Sequence, residues 1–143
     1  LNGCVGTVLD TFTYIVRPTP TLSSAVTASI CNGATFGYNA SSLVDGTTYE
    51  WIRDTVIGII QSPSSASSGG ISESLNNNTP NPLAAVYSFT LTAAGCTSTQ
   101  GVTVTVNPTP VLFPTPLVGS VCSGDNFTFT QNSLTTLATF SCS

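Results

Sequence analysis

Apolar and polar residues alternate along several short stretches of the chain. In Ala85–Thr92, Tyr87 and Phe89 fall on one side of the alternation. In Gly101–Val106, valines occupy every second position and threonines lie between them. A period of two indicates β-strands with one buried face. No stretch has the 3.6-residue period of an amphipathic helix, so the pattern predicts an all-β protein.

Seven such stretches, separated by clusters of turn-forming residues, lie between residues 21 and 106. The predicted strands are Thr21–Ala28, Ala34–Tyr38, Thr48–Arg53, Val56–Ile60, Ile71–Asn76, Ala85–Thr92 and Gly101–Val106. The serine-rich segment Gln61–Gly70 is expected to be a loop. Seven short strands in about 90 residues, with a tryptophan on the third, are typical of an immunoglobulin-like β-sandwich. The residues expected in its core are Phe36, Tyr49, Trp51, Tyr87 and Phe89.

Short motifs recur along the chain at a nearly constant interval. The matched pairs, 90 to 92 residues apart, are Pro18-Thr19-Pro20 with Pro108-Thr109-Pro110, Cys31-Asn32-Gly33 with Cys122-Ser123-Gly124, and Gly3-Cys4 with Gly95-Cys96. A fixed period of this length predicts a tandem array. We expect the tail of one repeat at residues 1–19, a complete repeat at 20–109 and the opening part of a third at 110–143. The proline pairs at the boundaries favour stiff, extended linkers. Two complete domains of half the chain each would conflict with the order of the motifs.

The five cysteines favour an oxidising compartment. Cys31 falls in the turn after the first predicted strand, and Cys96 in the turn before the seventh. Counting strand directions up and down places both turns at the same end of the sandwich, which predicts a Cys31–Cys96 disulfide. Cys4 and Cys122 occupy the same two positions in the flanking repeats, so they are expected to pair with cysteines of neighbouring repeats.

The fifth cysteine, Cys142, aligns with Trp51 at the 91-residue offset. Three roles for it stay open: a core thiol in place of the tryptophan, a partner in a bond specific to that repeat, or a partner of Cys122. No Cys-x-x-Cys pattern occurs and histidine is absent. None of the five thiols is therefore expected to bind a metal.

The charge composition excludes most catalytic and nucleic-acid-binding classes. The chain has no histidine, two basic residues and a net charge of −4. Without histidine there is no Ser-His-Asp or Cys-His arrangement, and the two basic residues, both arginines, rule out lysine Schiff-base chemistry. Two arginines do not form the positively charged surface that binds nucleic acid or anionic lipid. The longest apolar stretch falls far short of the roughly 18 residues of a membrane span. We expect a protein that is not an enzyme.

Four acidic residues lie in the complete repeat: Asp45, Glu50, Asp54 and Glu73. A glycosidase needs two carboxylates facing one cleft, and Glu50 and Asp54 flank a predicted strand on the same face. The simpler interpretation is that Glu50 and Arg53 lie near one another on an exposed edge and keep it soluble. Calcium needs only oxygen ligands, but the acids do not cluster at the linkers. No cofactor is expected.

Five motifs carry a resemblance to a known family. They are Ile30-Cys31-Asn32-Gly33, Thr48-Tyr49-Glu50-Trp51, Gly69–Leu75, Tyr87–Cys96 and the ending Val102–Pro110. Together they resemble the PKD-like, immunoglobulin-like repeats of the very large secreted adhesins of Bacteroidota, including gliding-motility surface proteins. Arg17 in place of the usual asparagine and the extra Phe113–Pro116 insertion depart from that pattern. The resemblance implies export by the type IX secretion system, display at the cell surface and service as a spacer in a long fibre.

Glycosylation is the chemistry that this resemblance makes most plausible. In the resembled group the O-glycan acceptor follows an aspartate and precedes a small apolar residue, and Asp54-Thr55-Val56 fits that pattern, so a glycan is expected on Thr55. Matches to the N-linked acceptor pattern begin at Asn39, Asn77 and Asn126.

The leading hypothesis is a non-catalytic structural repeat of an extracellular adhesin or filament. Its partners would be neighbouring repeats, identical chains in a fibre and a surface or glycan ligand that the sequence does not identify. The alternative is a carbohydrate-binding accessory module of a secreted polysaccharide-degrading enzyme. Aromatic residues that would form its sugar platform are Phe36, Tyr38, Tyr49 and Trp51. Their alternating positions on central strands favour the core instead.

Overall fold

The computed structural model describes residues 11–112, 120–128, 130, 132–136 and 138–139. Within these ranges the chain is all β: it contains no helix, and seven strands form two sheets. The strands are β1 Thr27–Cys31, β2 Thr35–Asn39, β3 Thr48–Arg53, β4 Ser64–Ala66, β5 Gly70–Ser74, β6 Leu83–Ala93 and β7 Cys96–Asn107.

The larger sheet has the strand order β1-β7-β6-β3-β4. Its centre is the long hairpin of β6 and β7, which pairs from Leu83 with Val106 to Ala93 with Cys96. The two residues of the hairpin turn, Ala94 and Gly95, both have positive φ angles, 48° and 86°. A two-residue turn of this kind matches the right-handed twist of the flanking strands. β1 is the exception to the antiparallel pairing of this sheet, because it runs parallel to β7.

The smaller sheet pairs β2 with β5 in antiparallel register, and it covers one face of the larger sheet. The inner faces of both sheets form one hydrophobic cluster. The rings of Phe36 on β2 and Tyr87 on β6 lie 5.4 Å apart between centroids. Trp51 on β3 also contacts Tyr87 at 5.4 Å, and its indole nitrogen donates to the carbonyl of Gly70 at 3.1 Å. The two layers are thus joined by aromatic contacts.

Four of the five aromatic residues expected in the core are buried: Phe36, Trp51, Tyr87 and Phe89. The fifth, Tyr49, is half-buried and packs against the margin of the same cluster. Every second residue of β6 and of the second half of β7 points into this core, which agrees with the period of two in the sequence.

One predicted strand and one predicted loop were wrong. Val56–Ile60 forms a turn rather than a strand, and its only ladder contact is a single bridge from Ile59 to Asn77. The edge strand β4 lies instead in the segment expected to be a loop, because an edge strand needs its backbone to pair but needs little apolar surface. The first strand also begins later than predicted, at Thr27.

The recurring motifs adopt the same local conformations. The turn at Cys31 is closed by a bond from the Ala34 nitrogen to the Cys31 carbonyl, at 3.0 Å. The turn at Cys122 is closed in the same way by Asp125, at 3.1 Å. Both turns contain a glycine with positive φ, 74° in the first and 96° in the second.

A second pair of equivalent contacts lies farther along the chain. The isolated bridge from Leu22 to Ser42 recurs as one from Leu112 to Ser133. In each case the serine hydroxyl accepts a bond from the backbone nitrogen two residues later, at 3.2 Å for Ser42 and 2.9 Å for Ser133. The offsets of 90 and 91 residues therefore hold for backbone contacts as well as for residue types.

Candidate functional site: the two ends of the sandwich

The Pro-Thr-Pro linker at residues 18–20 lies along the first half of β7. We call this end of the sandwich the N-terminal pole; it consists of Arg17–Leu22 and Cys96–Gln100. The Ser98 hydroxyl donates to the carbonyl of Pro20, and the backbone nitrogen of Leu22 donates to the side chain of Gln100. Pro20 is fully buried. The linker is therefore held by the domain that follows it.

The opposite end, the C-terminal pole, consists of Cys31–Gly33, Asn76–Pro82 and Val106–Pro110. Here the Asn32 amide donates to the hydroxyl of Thr109 at 3.0 Å, and the Asn107 amide donates to the hydroxyl of Ser29 at 2.8 Å. The second Pro-Thr-Pro linker is thus also bonded to the sandwich, at the end of β7 rather than at its start.

Asn77 organises the C-terminal pole. Its side chain is buried, and its amide nitrogen donates to the carbonyls of Asn81 and Val106, at 2.7 and 2.9 Å. Its side-chain oxygen accepts bonds from the backbone nitrogen and the hydroxyl of Thr79. Its backbone nitrogen donates to the side chain of Asn32 at 2.7 Å. Asn77 thus connects the β5–β6 loop to the end of β7. In the sequence it stands out only as part of an N-glycosylation pattern.

The segment after the second linker packs against this pole. The hydroxyl of Thr135 donates to the carbonyl of Thr109 at 3.1 Å and accepts from the nitrogen of Val111 at 2.9 Å. The nitrogen of Thr136 donates to the carbonyl of Pro80 at 3.4 Å. A cavity of about 480 Å³ remains between the two parts. The described residues that line it carry amide, hydroxyl or apolar groups, and none of them is charged; they include Asn32, Asn77, Thr79, Pro80, Val111 and Leu134.

A buried ionic cluster links the two sheets. Arg53 is fully buried on β3, and its Nε lies 2.9 Å from Oε2 of Glu73 on β5. The Tyr87 hydroxyl donates to the same oxygen at 2.6 Å. The guanidinium also donates to the carbonyl of Ser62 at 2.6 Å. The cluster is structural, because its charges point into the core rather than into a cleft.

The pKa values of this cluster follow from its surroundings. Burial alone would raise the pKa of Glu73, but hydrogen bonds from Arg53 and Tyr87 and the charge of Arg53 outweigh it, so the pKa lies below its usual value. Burial, followed by the hydrogen bond to the Glu73 carboxylate and its charge, raises the pKa of Tyr87 far above its usual range. Glu73 is therefore ionised and Tyr87 neutral at neutral pH.

The expected pairing of Glu50 with Arg53 on an exposed edge was wrong. Arg53 faces the core and pairs with Glu73, whereas Glu50 lies on the outer face of β3. Among the residues that the structure describes, Glu50 is the carboxylate that lines an open groove of about 450 Å³ on that face.

The aromatic residues considered as a sugar platform differ in exposure. Trp51 and Phe36 are 7% and 4% exposed, and Tyr38 and Tyr49 are partly buried against the same core. A stacking platform needs an accessible ring face, which the buried rings of Trp51 and Phe36 do not offer.

The predicted disulfide between Cys31 and Cys96 was wrong. Both thiols are free. Because β1 and β7 run parallel, the end of β1 and the start of β7 lie at opposite poles. Cys122 is likewise a free, exposed thiol. Cys4 and Cys142, for which pairings were also considered, lie outside the described residues.

The candidate glycosylation positions differ in accessibility. Thr55 is exposed in the loop after β3. Of the N-linked candidates, Asn39 and Asn126 are exposed, whereas both hydrogens of the Asn77 amide are occupied by carbonyls. Asn77 is thus not available to a glycosyltransferase in the folded protein.

The described part of the chain contains no cluster of three or more acidic, histidine or cysteine side chains placed to hold a metal ion. It also contains no helix of the length and apolarity needed to cross a bilayer.

No protein-family model, curated protein or solved structure matches the chain.

Proposed function

We propose that the chain is a non-catalytic spacer segment of an extracellular tandem array, in which immunoglobulin-like, PKD-like repeats are joined end to end by Pro-Thr-Pro linkers. Such an array would form the stalk of a cell-surface adhesin or filament. The observation that carries the proposal is the position of the two linkers. One lies against the start of β7 and the other leaves from its end, so repeats joined in this way would follow one another along a line.

The segment before the first linker supports the same arrangement. Phe12, Tyr14 and Val16 are between 81% and 93% exposed. At the 90-residue offset they align with Val102, Val104 and Val106, which are fully buried on β7. An apolar strand pattern without a core to cover is what the last strand of a preceding repeat would leave behind.

The surface is compatible with a spacer. The outer face of β6 and β7 carries mainly hydroxyl groups, with Thr90, Thr92, Thr97, Thr99, Thr103 and Thr105 pointing outward. Charges are few, with six acidic and two basic residues in the whole chain. Solubility therefore depends on hydroxyls, and an O-glycan on the exposed Thr55 would add to it.

Small-angle X-ray scattering tests the proposal. The probe is a duplicated chain, in which residues 1–109 are followed directly by residues 20–143 so that the linker sequence is preserved. We expect its maximum dimension to exceed that of the parent chain by about 40 Å, the length of a 12-residue strand. A control with the junction prolines Pro108 and Pro20 replaced by glycine should show a smaller increase. An unchanged maximum dimension would contradict the end-to-end arrangement.

The carbohydrate-binding alternative predicts a different response. The single tryptophan of the parent chain, Trp51, reports on the surroundings of the proposed platform. We expect its fluorescence to be unaffected by soluble polysaccharides and weakly quenched by acrylamide, because its ring is 7% exposed. A shift on addition of a polysaccharide would favour the binding module.

A further inference from the structure

We infer that consecutive repeats are covalently joined by a disulfide between Cys31 of one repeat and the counterpart of Cys96 in the repeat that follows. The inference rests on the tandem arrangement proposed above. It goes beyond that arrangement because it assigns a covalent bond to the junction.

Cys31 lies at the C-terminal pole. Cys31 is the last residue of β1, and its register partner on the parallel strand β7 is Asn107. Adjacent strands lie about 4.8 Å apart. Its thiol is exposed and free. Cys31 therefore lies directly beside the residue that begins the outgoing linker.

Cys96 lies at the N-terminal pole. The sulfur of Cys96 lies 3.9 Å from the carbonyl oxygen of Arg17. Arg17 precedes Pro18-Thr19-Pro20 in the same way as Asn107 precedes Pro108-Thr109-Pro110, 90 residues later. In a following repeat, the counterpart of Cys96 would thus lie beside the carbonyl of Asn107.

Asn107 is the common neighbour of both thiols. It is the register partner of Cys31, and by analogy with Arg17 its carbonyl would lie near the sulfur of the incoming cysteine. Disulfides join residues whose Cα atoms lie about 4.4–6.8 Å apart. The bond therefore requires the linker to bring the incoming cysteine to the same side of Asn107 as Cys31.

The same geometry excludes a bond within one repeat. Eleven residue steps of β7 separate Cys96 from Asn107, the register partner of Cys31. At about 3.3 Å per step, the two thiols lie about 36 Å apart.

The turn at Cys122 repeats the turn at Cys31, with the same closing hydrogen bond, so Cys122 takes the role of Cys31 in its own repeat. Within the 143 residues, neither Cys31 nor Cys122 is followed by the Cys96 counterpart of the next repeat.

Formation of the bond is a two-electron oxidation. The two thiols lose two protons and two electrons, and one S–S bond forms. A small-molecule disulfide such as glutathione disulfide accepts the electrons, its own S–S bond breaks, and two glutathione thiols are released.

The test uses the duplicated chain, which keeps every residue of the protein and adds the missing second repeat. It is oxidised with glutathione disulfide at low protein concentration, digested without reduction and mapped by mass spectrometry. We expect one linked peptide pair that joins Cys31 of the first repeat to Cys96 of the second, with loss of two titratable thiols. Cys31→Ser in the first repeat or Cys96→Ser in the second should abolish the linked pair. Cys96→Ser in the first repeat is the matched control and should leave it intact.

Two outcomes would overturn the inference: both thiols stay titratable after oxidation, or Cys31 is linked to Cys96 of its own repeat. Scattering of the duplicated chain under reducing conditions separates this failure from a failure of the proposed function. A chain that is extended but not cross-linked would refute the disulfide alone, whereas a chain that is not extended would refute the tandem arrangement itself.

Discussion

Nε of Arg53 lies 2.9 Å from Oε2 of Glu73, and this ion pair crosses the core from the larger sheet to the smaller one. The arginine is fully buried, and the Tyr87 hydroxyl donates to the same carboxylate oxygen. Without its partner the guanidinium would be a buried, uncompensated charge, which is among the most costly defects in a protein interior. The pair therefore couples the two layers electrostatically as well as through packing.

The first prediction concerns the removal of this carboxylate. We expect Glu73→Gln to lower the free energy of unfolding by about 3 kcal/mol, at the lower end of the range for broken buried pairs because Glu73 is partly exposed. Glu50→Gln is the matched control: its side chain lies on the outer face of β3, and its effect should stay within about 0.5 kcal/mol. Urea denaturation followed by Trp51 fluorescence measures both. Equal losses in the two variants would show that the ion pair does not stabilise the fold.

The second prediction is the pH dependence of the same pair. The pKa of Glu73 in the folded protein lies below its usual value of 4.5, so folding favours the ionised form. Its contribution to the free energy of unfolding is complete above that value and is lost as the pH falls through the folded-state pKa. We expect the difference between the parent and Glu73→Gln to shrink steadily below about pH 4.5. A difference that stays constant through this acidic range would contradict the assignment.

The inward position of Arg53 agrees with the period of two in the third strand, although Arg53 was expected on an exposed edge. Tyr49 and Trp51 of the third strand are both expected in the core, and a period of two puts Arg53 on the same face. Because charged side chains are usually exposed, Arg53 was instead expected beside Glu50 on an edge. The identity of the true partner depends on how β5 lies across the core from β3. That contact joins residues distant in sequence, so local periodicity does not specify it.

The disulfide prediction failed for a different reason. Six of the seven predicted strands overlap an observed strand, and each cysteine lies next to its predicted turn, Cys31 as the last residue of β1 and Cys96 as the first of β7. The pole at which each turn lies depends on strand direction, and the parallel pairing of β1 with β7 sends Cys31 and Cys96 to opposite ends. A prediction of covalent pairing thus needs the topology, which local patterns leave undetermined. The recurring motifs, by contrast, were recognisable from sequence because turn geometry depends on adjacent residues.

The third prediction concerns the hairpin turn between β6 and β7. Ala94 has a φ of 48°, a left-handed conformation that is unfavourable for a residue with a Cβ. Asparagine followed by glycine is the preferred pair for a turn with two positive φ angles. We expect Ala94→Asn to raise the free energy of unfolding by about 1 kcal/mol. Gly95→Ala, which adds a Cβ at the neighbouring positive φ, should lower it. If both changes had the same sign in chemical denaturation, the turn would not have this conformation in solution.

The fourth prediction concerns the O-glycan on Thr55. The residue is exposed after β3, so a glycosyltransferase has access to it in the folded protein. In protein isolated from its native host, we expect an intact mass above that of the polypeptide, and Thr55→Val should remove the excess. Thr47→Val is a control in another loop. A mass equal to that of the polypeptide alone would exclude the modification.

The fifth prediction concerns Asn77 at the C-terminal pole. Its amide donates to the carbonyls of Asn81 and Val106, and its oxygen accepts from Thr79. Asn77→Ala would remove these bonds, at a cost of about 1 kcal/mol for each net hydrogen bond. We expect a loss of about 2–3 kcal/mol in unfolding free energy and faster hydrogen exchange at the end of β7. Asn78→Ala, at an exposed neighbouring position, should change neither quantity. Unaltered exchange in Asn77→Ala would mean that the β5–β6 loop does not hold this end of the sandwich in place.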